Sequence, residues 1–203
     1  MLNFIKSTTL MLVLLNPFLI IIYLTDMVQN LDQKQFTSVM LRAGSIASLV
    51  FFCFAILGDA IFEGFLQAEF ASFQIFGGII FLLIGLQFVF RGPSAIEILQ
   101  GRSKHLAGAV AMPVLIGPGT ISASVVIGKK HTPLIACASV LIAVLCCIIS
   151  IIVLKKIHDM VLPRREELVH RYIEIAGRVT ALIVGTIAID MIMRGIRIWV
   201  EKF

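Results

Sequence analysis

The sequence predicts an all-α, polytopic membrane protein with six transmembrane helices in a 3+3 inverted repeat, helices 1 and 4 being broken. Three observations lead to this prediction: low charge, six long apolar runs, and two matching proline-containing segments. Of the 203 residues 59% are hydrophobic and 14% are charged, whereas soluble domains carry about 25% charged residues. Because the mean hydropathy is +1.03, we expect residues 1–203 to form a single domain in a lipid bilayer.

Six apolar runs are each close to the roughly 20 residues that a helix needs to cross the hydrocarbon core. They are Phe4–Leu24, Ala43–Phe62, Phe70–Phe90, Leu106–Ile127, Pro133–Leu154 and Val179–Val200. The first run is expected to be a retained span rather than a cleaved signal peptide. Its apolar stretch is long, and no small-residue cleavage site follows it.

The distribution of Lys and Arg predicts the orientation of the spans. Eleven of the 17 basic residues fall in the loops after spans 1, 3 and 5, and the other six fall on the opposite side. Because Lys and Arg gather in cytoplasmic loops, both termini are predicted to be periplasmic. Cytoplasmic loops are expected at about 91–105 and at Lys155–Arg178, the second as a solvated connector with room for a short amphipathic helix. The same bias explains the net charge of +5 without a nucleic-acid partner.

Two pairs of segments match across the halves of the chain. MLVLLNPFLI (11–20) and MPVLIGPGTI (112–121) share five of ten residues at a shift of 101, which aligns Pro17 with Pro118. At a shift of 100, IFGGIIFLLIGL (75–86) and IAGRVTALIVGT (175–186) align two pairs of glycines. We therefore predict repeats at about 1–92 and 106–203, the second inverted because three spans is an odd number. Close helix packing is expected at Gly77, Gly78, Gly85, Gly177 and Gly185.

The aligned prolines predict that spans 1 and 4 are broken near the membrane midplane. Asn16 lies twelve residues into span 1, or about 18 Å at 1.5 Å per residue, in a hydrocarbon core about 30 Å thick. Pro17 has no backbone N–H to donate to Val13, and Pro118 has none for Val114. Such freed carbonyls are tolerated where protein buries them or where a water-filled cavity meets them.

Broken helices at matching positions of inverted repeats form solute and ion sites in transporters. The N–H groups at a helix N-terminus attract anions, and the carbonyls at a C-terminus attract cations. A zwitterionic amino acid presents both charges, so the breaks are predicted to bind a small polar solute. The predicted lining residues are Asn16, Pro17, Gly117, Pro118, Gly119 and Thr120, with Ser122 and Ser124 as further hydroxyls. The alternative at each break is a proline that only kinks its helix.

Three charged residues within the spans are candidates for coupling or gating. Asp59 lies near the outer end of span 2 and is either an interfacial carboxylate or a coupling group. Asp190 and Arg194 are one helical turn apart in span 6, so they either satisfy each other or gate the site. Na⁺ or H⁺ would be the coupling ion.

The sequence predicts no resident cofactor, no metal site and no enzymatic activity. The four cysteines lie in apolar runs without metal-ligand spacing and are predicted to be buried, although the adjacent Cys146 and Cys147 leave thiol chemistry as an alternative. The four histidines fall in predicted loops. The chain has no G-x-x-x-x-G-K-[ST] nucleotide-binding loop, and no Ser/Lys or paired-Asp arrangement indicates an intramembrane enzyme.

Asn16-Pro17 and PVLIGPGTI (113–121) resemble the two hallmarks of the MarC family of bacterial membrane proteins. The similarity extends through LGDAI (57–61), FQIFGGI (73–79) and the Arg194–Ile196 region, and covers essentially the whole chain. The sequence departs from the family after Pro17, where bulky apolar residues replace a glycine and a second proline. The resemblance implies a six-span protein of the bacterial inner membrane, related to LysE-type exporters. Some relatives are assigned to transport of small neutral amino acids.

The leading hypothesis is a secondary transporter or exporter of a small polar solute, with a neutral amino acid as the expected solute. The alternative is a non-transporting membrane scaffold or accessory subunit, whose breaks would pack dry against their neighbours. A homo-oligomer is compatible with both.

Overall fold

The computed structural model describes residues 2–65, 69–91 and 115–201, and within these ranges every regular element is helical. The α-helices are α1 (Leu2–Leu15), α2 (Pro17–Tyr23), α3 (Thr25–Asn30), α4 (Gln33–Asp59), α5 (Phe70–Arg91), α6 (Pro118–Lys130) and α7 (Pro133–Val200), with a π-helical turn at Ala60–Phe65. The predicted all-α class is confirmed. The loop predicted at 91–105 and the first half of span 4 fall almost wholly within residues 92–114, which lie outside the described ranges.

Three of the described helices contain stretches that are long and apolar enough to cross a membrane. These stretches are Gln33–Gly58, Phe70–Gln87 and Pro133–Met160, and α1 is a shorter apolar helix. They coincide with predicted spans 2, 3 and 5, so the membrane-protein class is confirmed. The count of six spans and the inverted repeat stay predictions.

Helix α4 begins at Gln33, ten residues before the predicted start of span 2 at Ala43. Asp32 is the N-cap, and its Oδ1 accepts a hydrogen bond of 2.6 Å from the backbone N–H of Gln35. An acceptor at this position satisfies one of the free N–H groups of the first turn. The predicted boundary was wrong because it followed hydropathy alone, whereas the helix starts at its polar cap.

We expect Asp32→Ala to lower the free energy of unfolding by about 1 kcal/mol, the usual effect of removing an N-cap acceptor. Thermal unfolding of the purified protein in one detergent measures the change. Asp32→Asn is the matched control, because it keeps an oxygen acceptor and should lose much less. Equal losses in the two variants would show that the cap is not the stabilising feature.

Helix α7 continues through Lys155–Arg178, so the expectation of a loop there is wrong, although Lys156, Asp159 and Arg178 are exposed as expected for a solvated connector. The backbone is helical throughout α7, and Lys155 is only 1% exposed. The predicted fifth and sixth spans both lie within this one helix.

The two parts of α7 pack against different helices. In its first part, the side chain of Ile148 fills the space beside Gly44 on α4. In its last part, the backbone of Ala188 lies against Gly78 on α5, as expected for small residues between membrane helices. Gly85 lies against the backbone of Ala181 and Gly185 where α5 crosses α7. Close packing is thus confirmed at Gly77, Gly78 and Gly85 on α5 but is wrong for Gly185, where an added methyl group would meet open space.

One buried apolar cluster joins the two predicted breaks. It includes Leu15 and Ile20, which flank the first break, and Leu115 and Ile116, which precede the second. The prediction of buried cysteines is confirmed for Cys147 but is wrong for Cys53 and Cys146, which are exposed on outward-facing sides of α4 and α7. Hydropathy alone does not say which side of an apolar helix faces its neighbours.

Candidate functional site

The first break is centred on Asn16. Its φ of +48° lies in the left-handed region, which asparagine tolerates better than most other residues because its short side chain bonds locally. Asn16 is buried, and its backbone N–H donates to the carbonyl of Leu12 at 3.0 Å. The polar residue in this apolar run therefore ends α1 and turns the chain.

Pro17 occupies the first position of α2, where its missing N–H costs nothing and its fixed φ suits a helix start. The carbonyl of Asn16 accepts a bond of 3.1 Å from the N–H of Ile20, so α2 is a separate helix. The last carbonyls of α1 beyond Leu12 have no partner within α1. The break predicted at Asn16-Pro17 is confirmed, and it presents a helix C-terminus.

The second break is centred on Gly117, the N-cap of α6. Gly117 is extended, with φ −117° and ψ 167°, and no side-chain hydrogen bond caps the first turn of α6 from this position. Pro118 is the first residue of the helix, so α6 starts here rather than bending through a kink. The predicted break is confirmed, and it presents a helix N-terminus with its N–H groups.

Thr120 fixes the shape of this second break. Its hydroxyl accepts a bond of 2.9 Å from the N–H of Gly117 and lies 3.0 Å from the carbonyl oxygens of Leu115 and Gly117. A hydroxyl has one proton to donate, so its donor is already used by the backbone. Thr120 is only 2% exposed, and its hydroxyl links the backbone at Leu115 and Gly117, on either side of the turn that precedes α6.

Helix α5 closes the second break from one side. Pro118 packs against Gly77, and the ring of Phe81 lies against both Gly117 and Gly119. A methyl group added at Gly119 would overlap this ring. Phe81 cannot be recognised as a site residue from the sequence, because an aromatic residue in an apolar run carries no sign of what it will contact.

Two contacts set α5 antiparallel to α6. They are the Lys129 ammonium 5.4 Å from the centroid of the Phe70 ring, and Pro118 against Gly77. Gln74 lies between these contacts along α5, and Ser122 lies between them along α6.

Gln74 and Ser122 each hold a buried oxygen without a hydrogen-bond partner. Ser122 is 3% exposed and Gln74 is 5% exposed, and the unpartnered atoms are Ser122 Oγ and Gln74 Oε1. Six other helical hydroxyls donate to the carbonyl four residues before them, namely Thr37, Ser45, Ser124, Ser139, Ser150 and Thr186, whereas Thr8 on α1 also lacks a partner. Ser122 makes no such bond. Buried polar atoms are normally paired, so this pair marks a polar position beside the break.

The coupling candidates lie apart from the breaks. Asp190 Oδ2 and Arg194 Nε form an ion pair of 2.7 Å, and both side chains are more than half exposed. Gly195, next to Arg194, packs against Ala71 at the start of α5, so the pair lies near a helix end. Helix α4 ends at Asp59, whose side chain is not among those described.

Two helix breaks within a bundle of apolar spans define an integral membrane protein with discontinuous helices. The comparison with known proteins gives the family. A model described as "MarC family integral membrane protein" matches residues 1–200, and the chain belongs to this family.

Curated relatives are named UPF0056 membrane proteins. A protein from Methanocaldococcus jannaschii is 28% identical over 194 residues, which cover 91% of each chain. One from Pyrococcus horikoshii is 24% identical over 141 residues, 68% of this chain and 69% of its own length. One from Aquifex aeolicus is 27% identical over 134 residues, 61% of each chain. No solved structure matches the chain.

Proposed function

We propose that the protein is a secondary transporter for a small polar solute, with a neutral amino acid as the solute. The observation that carries this proposal is the pairing of the two breaks. Helix α1 ends in carbonyls at Leu15, and α6 begins after Gly117 with the N–H groups of Gly119 and Thr120, which no N-cap side chain binds, beside the same buried cluster. The two ends have opposite partial charge.

A zwitterion matches this arrangement. The N–H groups at the start of α6 suit a carboxylate, and the carbonyls at the end of α1 suit an ammonium group. Gly117 and Gly119 carry no side chain, so a ligand can approach the backbone closely once Phe81 moves aside. Ser122 and Gln74 would supply the buried hydrogen bonds that distinguish a polar solute from lipid.

The closed state of the breaks is consistent with a transporter between transport steps. Phe81 covers both glycines, and Asn16, Thr120 and Ser122 are all buried. Solute binding would have to displace the Phe81 ring and satisfy the unpartnered oxygens. Relief of buried, unpaired polar groups is favourable by about 1–3 kcal/mol each, which gives a polar solute an advantage over an apolar one.

The proposed location is the inner membrane, and the proposed orientation has both termini in the periplasm. Contacts that support termini on one side are Ser7 with His131, Lys129 with Phe70, and Gly195 with Ala71. They gather the start of α1, the end of α6, the start of α5 and the end of α7. Transport would be driven by an existing Na⁺, H⁺ or solute gradient, and the role is non-enzymatic.

Uptake and counterflow of labelled glycine, alanine and serine in proteoliposomes test the proposal. We expect saturable flux in the wild type and a loss of about tenfold or more in Asn16→Ala, because removal of a residue that tolerates positive φ distorts the break. Gly185→Ala is the matched control, since an added methyl there meets open space. Absence of saturable flux for every solute tested would overturn the transporter and favour the scaffold.

A further inference from the structure

Lys155 is buried although it carries a charge. Its ammonium donates to the carbonyl of Val28 at 2.7 Å and to both carboxylate oxygens of Asp159 at 2.9 and 3.0 Å. It also lies 5.6 Å from the centroid of the Phe36 ring. Val28 is in the last turn of α3, so the ammonium caps a helix C-terminus, where a positive charge is favourable.

A second hydrogen bond between residues distant in sequence lies near the start of α1 and the start of α7. Ser7 Oγ and His131 Nε2 are 2.9 Å apart, joining the first turns of α1 to the residue before Thr132, the N-cap of α7. Ser7 is 6% exposed, and His131 is half-buried. One bond thus joins α1 to His131, just before α7, and the other joins α3 to Lys155 in α7. The Asn16 break lies between the two bonds along the chain.

We propose that these contacts are two latches that close the site from opposite ends, an inference that rests on the transport function proposed above. The Lys155 latch comprises Lys155, Asp159 and the Val28 carbonyl. The Ser7 latch comprises Ser7 and His131. Alternating access requires that one end open while the other stays closed, and each latch holds one end of α1–α3 against the second half of the chain.

The latches differ in strength, which sets the end that opens first. Hydrogen bonds to charged groups are roughly twice as strong as bonds between neutral ones, and the bond from the Lys155 ammonium to the Val28 carbonyl is of this kind. The two bonds to Asp159 lie within α7 and orient the ammonium. The Ser7 latch has one bond between two side chains. The Ser7 end therefore opens more readily in the absence of solute, and loss of Lys155 reverses this preference.

Single-cysteine reporters measure the opening of each end. Each reporter is introduced into a cysteine-free variant, in which alanine replaces Cys53, Cys137, Cys146 and Cys147. The protein is placed in nanodiscs, so that a membrane-impermeant thiol reagent reaches both faces of the membrane. Met11→Cys reports on the Ser7 end, and Val28→Cys reports on the Lys155 end while keeping the accepting carbonyl. Both positions are at most 4% exposed, so labelling requires opening.

We expect Met11→Cys to be labelled faster than Val28→Cys when Lys155 is present. Lys155→Met should raise labelling of Val28→Cys by about tenfold or more and lower that of Met11→Cys, because the charged hydrogen bond that joins α3 to α7 is lost. Lys156→Met, an exposed neighbour, should change neither rate. Asp159→Asn retains the bond from Lys155 to the Val28 carbonyl, so it should give an intermediate increase in the labelling of Val28→Cys. This variant replaces Lys155→Met as the test if Lys155→Met does not fold. Ser7→Ala should raise labelling of Met11→Cys alone.

Equal increases at both reporters in Lys155→Met would mean general loosening and would overturn the latch proposal. Unchanged labelling in Lys155→Met and Asp159→Asn would overturn it as well. The labelling readout does not depend on solute flux, so failure of the latches in a protein that transports is distinguishable from failure of transport itself.

Discussion

Gly119→Ala should weaken solute binding about tenfold or more, because its methyl group would occupy the space beside the backbone at the start of α6 that a bound carboxylate needs. A clash of an added methyl group in a close contact costs typically about 1–3 kcal/mol, and about 1.4 kcal/mol corresponds to tenfold in affinity. The same methyl group overlaps the Phe81 ring in the closed form, so the ring must also shift in the variant. Binding of glycine, alanine and serine to purified protein, followed by calorimetry, measures the effect.

A double variant separates the ring contact from a general folding defect. Phe81→Ala removes the ring, so Gly119→Ala combined with Phe81→Ala should bind better than Gly119→Ala alone. Such non-additivity is expected for residues in contact. Gly185→Ala, with open space around the added methyl, should bind as the wild type does. Strictly additive effects of the two substitutions would contradict the assigned contact between Phe81 and Gly119.

Gly128→Ala should have the largest effect on folding. A methyl group at this position would overlap the backbone carbonyl of Ala55 on α4. A backbone carbonyl inside a helix cannot move away as a flexible side chain can, so the α4 and α6 axes must separate. We expect the free energy of unfolding to fall by about 3 kcal/mol or more, the upper part of the range for overpacking.

The folded yield and the detergent melting temperature of Gly128→Ala measure this loss. Gly64→Ala and Gly185→Ala are matched controls, because neither added methyl meets an atom within 4 Å. Gly58→Ala tests the same interface from α4, where the added group meets the Val125 side chain instead of a backbone. Its loss should be smaller than that of Gly128→Ala. A wild-type melting temperature for Gly128→Ala would show that α4 and α6 are not in close backbone contact.

The sequence predicted both breaks because they follow local rules. Pro17 and Pro118 cannot donate to the preceding turn, and Asn16 and Gly117 tolerate the backbone angles that a break requires. Both positions can be found without knowing what packs around them. The same holds for Asp32, because an Asp before a helix is a local capping signal, although hydropathy alone places the start of span 2 later.

The features that were missed depend on contacts distant in sequence. Lys155 was expected to be solvated, yet its partner Val28 lies 127 residues away, and no local pattern links them. Phe81 is one of 15 phenylalanines, and only the approach of α5 to α6 distinguishes it. The unpaired oxygens of Gln74 and Ser122 become visible only when the register of these two helices is known.

Thiol labelling at Ser122 tests most directly whether the breaks enclose a solute-accessible site. In the cysteine-free background, Ser122→Cys should react with a small aqueous thiol reagent in nanodiscs, and a bound neutral amino acid should slow the reaction. Lys130→Cys at the exposed helix end is the positive control, and Leu141→Cys on an outward-facing side of α7 is the negative control. Reaction at Ser122→Cys with protection by solute is the predicted result. A thiol there that reacts only after denaturation would contradict the transporter and indicate a dry scaffold.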